Sequence, residues 1–284
     1  MSNRAEAFLR IFHAKDPGCS TRAFALGKDE RGTSSYQRLA QTIPATPGNV
    51  TALDLGCGDG YLLELLRERL GHRAHLLGID MSPEELAAAR ARLGSNVDLR
   101  CERAQATTLA PGSIDIVVSH MALMLMTPLD EVIREMHRVL RPGGMLAAVV
   151  GSDRSRPGAV AEFISIVREL HAAPTIGLGD NRMRTAVGIR DVFGALDAWT
   201  EIAIEDFELN VDGPWPQVEA YLFGSYVSDL LEPRFRDPLR REASARIPAL
   251  ADSDGTIPCR TGMRLLQFRR ADARGKGRAT DSRS

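Results

Sequence analysis

Short apolar runs and longer amphipathic stretches alternate through the middle of this chain. Runs at residues 52–55, 75–80, 97–101, 114–120 and 145–150 have the length and composition of buried strands. Between the last two, Leu129, Val132, Ile133, Met136, Val139 and Leu140 recur at helical spacing. Arg141-Pro142-Gly143-Gly144 then stops that helix before the strand at 145–150. Ser82-Pro83-Glu84-Glu85 gives another helix an N-cap serine, a first-turn proline and a third-position glutamate, a complete capping box. Alternating strands and helices demand a parallel, doubly wound α/β sheet, whose ligands bind at the carboxyl ends of the strands.

The most informative stretch joins the first of these strands to a helix start: Ala52-Leu53-Asp54-Leu55-Gly56-Cys57-Gly58-Asp59-Gly60-Tyr61. Three glycines in five residues allow a sharp turn and let a ligand lie against the main chain. The spacing is not that of a dinucleotide loop, because Tyr61 stands where a third glycine would be needed, and no Gly-Lys-Ser/Thr follows to make a P-loop. An acidic residue before G-x-G-x-G suits a cofactor whose charged part is an amino acid. At the end of the second strand, Asp80 is placed to accept both hydroxyls of a ribose.

These motifs, together with Arg138-Val139-Leu140-Arg141-Pro142-Gly143-Gly144, resemble the class I S-adenosylmethionine (SAM) dependent methyltransferases, particularly the small-molecule, type-11-like group. The resemblance implies a Rossmann-like sheet of seven strands, completed by residues 199–209 and 259–270, the last strand antiparallel. It implies SAM as cofactor, held by Asp54, Gly56, Cys57, Gly58 and Gly60, by Asp80 and Met81, by Gln105 and Ala106, and by Ser119. Gln105 stands where the family's adenine-contacting aspartate is usual, and its amide oxygen can still accept from an amino group. By the same resemblance residues 1–47 form a helical cap, from which Tyr36 and Arg22 are expected to reach the methionine end, an arginine suiting a carboxylate; the alternative for Tyr36 is packing against the sheet edge.

His120 ends the fourth strand beside the expected transfer site and is the candidate catalytic residue, because an imidazole near pKa 6.5 suits proton transfer at neutral pH. Its other expected roles are a cofactor contact and a polar pocket wall. Met121, Met124 and Met126 follow as a deformable wall for an apolar or aromatic acceptor, or as burial for the next helix.

Composition narrows the acceptor. The 284-residue chain is 44% hydrophobic and 26% charged with a net charge of −1, as expected of a soluble globular protein without electrostatic pull toward nucleic acid or anionic lipid. Cys19, Cys57, Cys101 and Cys259 have no C-x-x-C spacing and the six histidines form no ligand motif, so free thiols, a cytoplasmic location and no metal are expected. No stretch is long and apolar enough to span a membrane. Insertions near 151–187 and 214–251 are left to cover a substrate within the 48–270 domain. In them an amphipathic helix opening at Pro157 carries Ile164 on its apolar face, 174–185 reads as a mobile lid, and Trp215, Tyr221, Phe223 and Tyr226 supply aromatic cover or core. Residues 271–284 read as a disordered tail.

The expected activity is methyl transfer to a small molecule, a secondary or specialised metabolite, by a monomer or homodimer. One alternative keeps the fold but cyclises SAM and releases methylthioadenosine. Another binds SAM without catalysis.

Overall fold

The computed structural model describes residues 4–45, 48–154, 157–196, 198–224 and 226–271. Three helices come first, α1 (Arg4–Lys15), α2 (Cys19–Phe24) and α3 (Ser35–Thr42). The sheet then alternates with helices: β1 (Thr51–Leu55), α4 (Tyr61–Leu70), β2 (His75–Asp80), α5 (Pro83–Leu93), β3 (Asp98–Cys101), β4 (Ile114–His120), α6 (Leu129–Val139) and β5 (Leu140–Gly151). The remainder is α7 (Ala159–Glu169), α8 (Ala186–Gly194), β6 (Trp199–Asn210), α9 (Trp215–Phe223), α10 (Pro233–Arg246) and β7 (Arg260–Arg270).

Strand order is β3-β2-β1-β4-β5-β7-β6, with β7 antiparallel to both its neighbours and the rest parallel. This is the expected seven-stranded, doubly wound sheet. Its central strands carry apolar residues on both faces because helices cover both, the condition under which parallel strands are stable. One face packs Leu53, Leu55, Val117 and Leu146 with residues of α6 and α8, the other packs Ala52, Val118 and Ala147 with α3 and α4. A third apolar cluster draws on α7, α9 and α10 and is distinct from these two, meeting the sheet at the start of β7, where Tyr221 Oη lies 2.6 Å from Thr261 Oγ1. Strand order reverses between β1 and β4, so the crevice for a ligand opens at their carboxyl ends.

Several local expectations change. The strand after α6 begins at Leu140, so Arg141 to Gly144 lie within β5 as a turn-like irregularity beside Asp115 rather than before it. The capping box of α5 is half made: Ser82 Oγ accepts from Glu85 N at 3.3 Å, but Ser82 N donates to Asp80, and Glu85 is drawn to α1 and α2. Ile164 is 39% exposed, so the buried face of α7 runs through Ala159, Phe163 and Ile166. The stretch expected as a lid is fastened, since Asp180 N donates to Met124 O and Met183 is fully buried in the sheet core. The expected tail lies outside the described residues, apart from Ala271. Among the described residues no helix is long and apolar enough to cross a membrane.

Candidate active site

A cavity of about 240 Å³ lies at the carboxyl ends of β1, β2 and β4. The turn after β1 shapes its floor. Gly56, Gly58 and Gly60 all have left-handed φ, at 76°, 51° and 79°. Their surroundings separate their roles. A Cβ on Gly58 would meet nothing nearer than Glu85 Oε2 at 3.8 Å, so this is the open cradle. One on Gly56 would strike Ala122 Cβ at 2.5 Å, and one on Gly60 would strike Leu93 Cδ1 at 2.7 Å. Gly60 thus serves the packing of α4 on α5 and is not in the cavity wall.

Two carboxyls stand over the turn. Asp80 is fixed by backbone amides: Gly58 N donates to Oδ2 and Ser82 N to Oδ1, each at 2.9 Å. Burial pushes its pKa up, and the two amides pull against that shift. Asp54 is 1% exposed and its Oδ1 has no hydrogen-bond partner among the described residues. Burial, then the charges of Asp80 and Asp59, hold its carboxyl well above the usual carboxylate range. A carboxyl oxygen so buried calls for a cationic or N–H partner.

His120 is 6% exposed, with Nε2 2.9 Å from Ser35 Oγ and its ring stacked on Tyr36 at 3.5 Å between centroids. Phe24 meets the imidazole edge-on. Burial pushes its pKa down to about 3, and Nδ1 has no partner among the described residues. The ring is therefore neutral at physiological pH and presents a hydrogen-bonding nitrogen rather than a charge. In the unfolded chain the residue takes up a proton near pH 6.5, so its contribution to stability is complete above that pH and is lost as pH falls toward 3. Between pH 7 and pH 5 it should cost the fold about 2 kcal/mol. Urea unfolding of the wild type and of His120→Gln at both values checks this; an identical pH dependence would show that the imidazole titrates normally in the fold.

The three N-terminal helices roof the cavity through polar contacts. Thr21 Oγ1 donates to Asp59 Oδ1 at 2.6 Å, Gly18 N to Glu85 Oε2 at 2.9 Å, and Arg103 Nη2 to Glu6 Oε1 at 2.5 Å. His13 Nδ1 lies 2.8 Å from Glu85 Oε1. Burial works against a charge on His13, but Cys19 and Glu85 outweigh it and raise its pKa to about 10.

Of the residues proposed from sequence, Tyr36, Asp54, Gly56, Cys57, Gly58, Asp80, Met81, Gln105 and His120 line the cavity. Gly60, Arg22, Ala106 and Ser119 do not. Arg22 is exposed and turned to Asp16, and Ser119 Oγ donates to Leu55 O at 2.8 Å. Gln105 Nε2 donates to Thr127 O at 2.7 Å, which fixes the amide. Cys57 is buried and its pKa raised, so it stays a thiol. Met121 and Met126 are in the wall, whereas Met124 packs against the sheet core. Of the aromatic cover only Tyr226 reaches the cavity, while Trp215, Tyr221 and Phe223 pack in or against the third core. Ser35, Asp59, Glu6 and the pair His13 and Cys19 were not foreseen, because each matters through a neighbour distant in sequence.

Comparison with known proteins places this architecture. A family model described as methyltransferase domain matches residues 53–148. The arsenite methyltransferase of Aquipseudomonas alcaligenes is 34% identical over 125 residues, 40% of this chain and 36% of that protein. The malonyl-[acyl-carrier protein] O-methyltransferase of a Marinomonas species is 35% identical over 124 residues, 43% of this chain and 45% of that protein. The matched stretch thus spans less than half the length of these relatives. Over 96% of this chain and 97% of the other, the fold follows the crystal structure of the [4+2]-cyclase SpnF, with a TM-score of 0.59 at 20% identity. A Bacillus halodurans structure described as a putative methyltransferase superposes with a TM-score of 0.55 at 14% identity, covering 83% of this chain and 98% of that one. Residues 53–148 belong to the class I methyltransferase family, whose cofactor is SAM.

Proposed function

We propose that this protein is a SAM-dependent methyltransferase acting on a small, largely apolar acceptor. The observation that carries the reading is that the cavity has two unlike walls meeting beside His120. One is acid and bare backbone, from Asp54, Gly56, Gly58 and Asp80; the other is apolar, from Phe12, Phe24, Met121, Leu125 and Tyr226. The first wall fits the cofactor. The unpartnered Asp54 oxygen suits the ammonium of an amino acid, Asp80 retains lone pairs for ribose hydroxyls, and the space at Gly58 lets a ligand lie on the main chain.

SAM supplies an electrophilic methyl group on a sulfonium that already leaves readily. The chain's own work is then to align the acceptor and exclude water. The roof of N-terminal helices and the aromatic and methionine wall do the excluding. His120 holds a proton too weakly at neutral pH to be the final base, so its free Nδ1 orients the acceptor by a hydrogen bond, with Ser35 and Tyr36 keeping the ring in place. A net charge of −1 and a mostly apolar wall argue against nucleic acid as substrate.

Incubation with SAM and small-molecule extracts, followed by mass measurement of both products, is the test. The expected result is S-adenosylhomocysteine together with an acceptor heavier by one methyl group. Methylthioadenosine instead would replace transfer with cyclisation of SAM, and faster methylation of bulk RNA or DNA than of any small acceptor would overturn the substrate class.

A further inference from the structure

Three donor side chains from three helices meet on one wall of the cavity. His13 comes from the last turn of α1, Cys19 from the start of α2 and Glu85 from the first turn of α5. His13 Nδ1 is 2.8 Å from Glu85 Oε1 and 3.7 Å from Cys19 Sγ, and the three ligand atoms all lie within 4.8 Å of one another. Cys19 is 6% exposed and Glu85 2%.

The arrangement is not that of an activated nucleophile. A base that activates a thiol uses one ring nitrogen for the sulfur and the other for its carboxylate, so the three groups stand in line. Here a single nitrogen faces both partners, and the three donor atoms cluster within 4.8 Å of one another. Such a cluster of nitrogen, sulfur and oxygen is the geometry of coordination. Tetrahedral Zn²⁺, with Zn–S about 2.3 Å and Zn–N or Zn–O about 2.0 Å, sets nitrogen and sulfur about 3.5 Å apart and nitrogen and oxygen about 3.3 Å apart. The first spacing is met to within about 0.2 Å at 3.7 Å, and the second is reached from 2.8 Å by an opening of about 0.5 Å. Gly18 N holds the other oxygen, Oε2, at 2.9 Å, which leaves Oε1 to the cluster.

We propose that His13, Cys19 and Glu85 are three ligands of a Zn²⁺-class cation whose fourth position opens on the cavity. A thiolate and a carboxylate balance the two charges of the ion, and the protons held by His13 and Cys19 leave to solvent as it binds. Sulfur and imidazole select a borderline-soft ion over Mg²⁺ or Ca²⁺. The ion would tie α1 and α2 to α5, fastening the roof of the active site. The inference is independent of the acceptor and of methyl transfer.

Zn²⁺ alone, titrated into the full chain against a chromophoric chelator, should bind at one equivalent, and Co²⁺ in its place should give thiolate-to-cobalt charge-transfer absorption. Cys19→Ser and His13→Gln should each weaken Zn²⁺ binding at least about tenfold, and Cys19→Ser should remove the absorption. Cys101→Ser removes an exposed thiol elsewhere and should change neither. Circular dichroism and S-adenosylhomocysteine binding on every variant report the fold and the cofactor site separately. Wild-type protein that binds the nucleoside but not Zn²⁺, a Cys19→Ser protein that binds Zn²⁺ like the wild type, or loss of the absorption in Cys101→Ser would each overturn the site.

Discussion

Replacing Asp80 by alanine should raise the dissociation constant for S-adenosylhomocysteine about 100-fold or more. The carboxylate is held by Gly58 N and Ser82 N, each at 2.9 Å, so its remaining lone pairs are oriented before any ligand arrives. Two hydrogen bonds to ribose hydroxyls would be lost, and bonds to a charged group are worth about 1.5–3 kcal/mol each. Asp80→Asn keeps one acceptor oxygen and should fall between the two. Calorimetry with the folded variants decides the matter: an alanine variant that binds within about threefold of the wild type would remove Asp80 from the cofactor site.

Gly60→Ala should cost the fold about 2–5 kcal/mol. The left-handed backbone, with φ at 79°, accounts for about 1–2 kcal/mol once a Cβ is present. The Cβ also meets Leu93 Cδ1 at 2.7 Å and Ala89 Cβ at 3.1 Å, so α4 and α5 must part, and overpacking adds about 1–3 kcal/mol. Gly58→Ala carries only the first cost, because its Cβ points into open space. The two glycines of one motif should therefore fail differently, Gly60 in urea stability and Gly58 in nucleoside affinity. Equal losses of stability in the two variants would show that the helix contact does not limit the substitution.

What the chain's pattern reveals and what it hides follow from the range of the forces involved. Residues 75–80 and 114–120 were legible as strands to their ends, because polar residues bound short apolar runs at a sheet buried on both faces. The glycine turn and Asp80 were legible because their meaning lies within one βαβ unit. Spacing alone cannot tell a glycine kept for a ligand from one kept for a neighbouring helix, so Gly60 read like Gly58. Nor does it show contacts across the chain: Ser35 reaches His120 over 85 residues and His13 reaches Glu85 over 72. The aromatic run after Pro214 was ambiguous for a related reason. Rings at helical spacing pack a core or face a pocket equally well, and only Tyr226 does the latter.

The third apolar cluster gives the molecule a seam. Phe163, Val218, Leu222, Leu239 and Ile247 share a core of their own, joined to the sheet where Tyr221 Oη lies 2.6 Å from Thr261 Oγ1, and the segment that brings Gly224, Tyr226 and Val227 to the cavity is anchored there. The loops proposed to grip the cofactor hang from β1, β2 and β4 instead. Changes in that block can therefore alter the part of the proposed acceptor wall that Tyr226 supplies and leave the loops after β1, β2 and β4 as they are. A chimera cut at the ends of that block, rather than within it, would exchange Tyr226's share of the wall and keep Phe12, Phe24, Met121 and Leu125 in place.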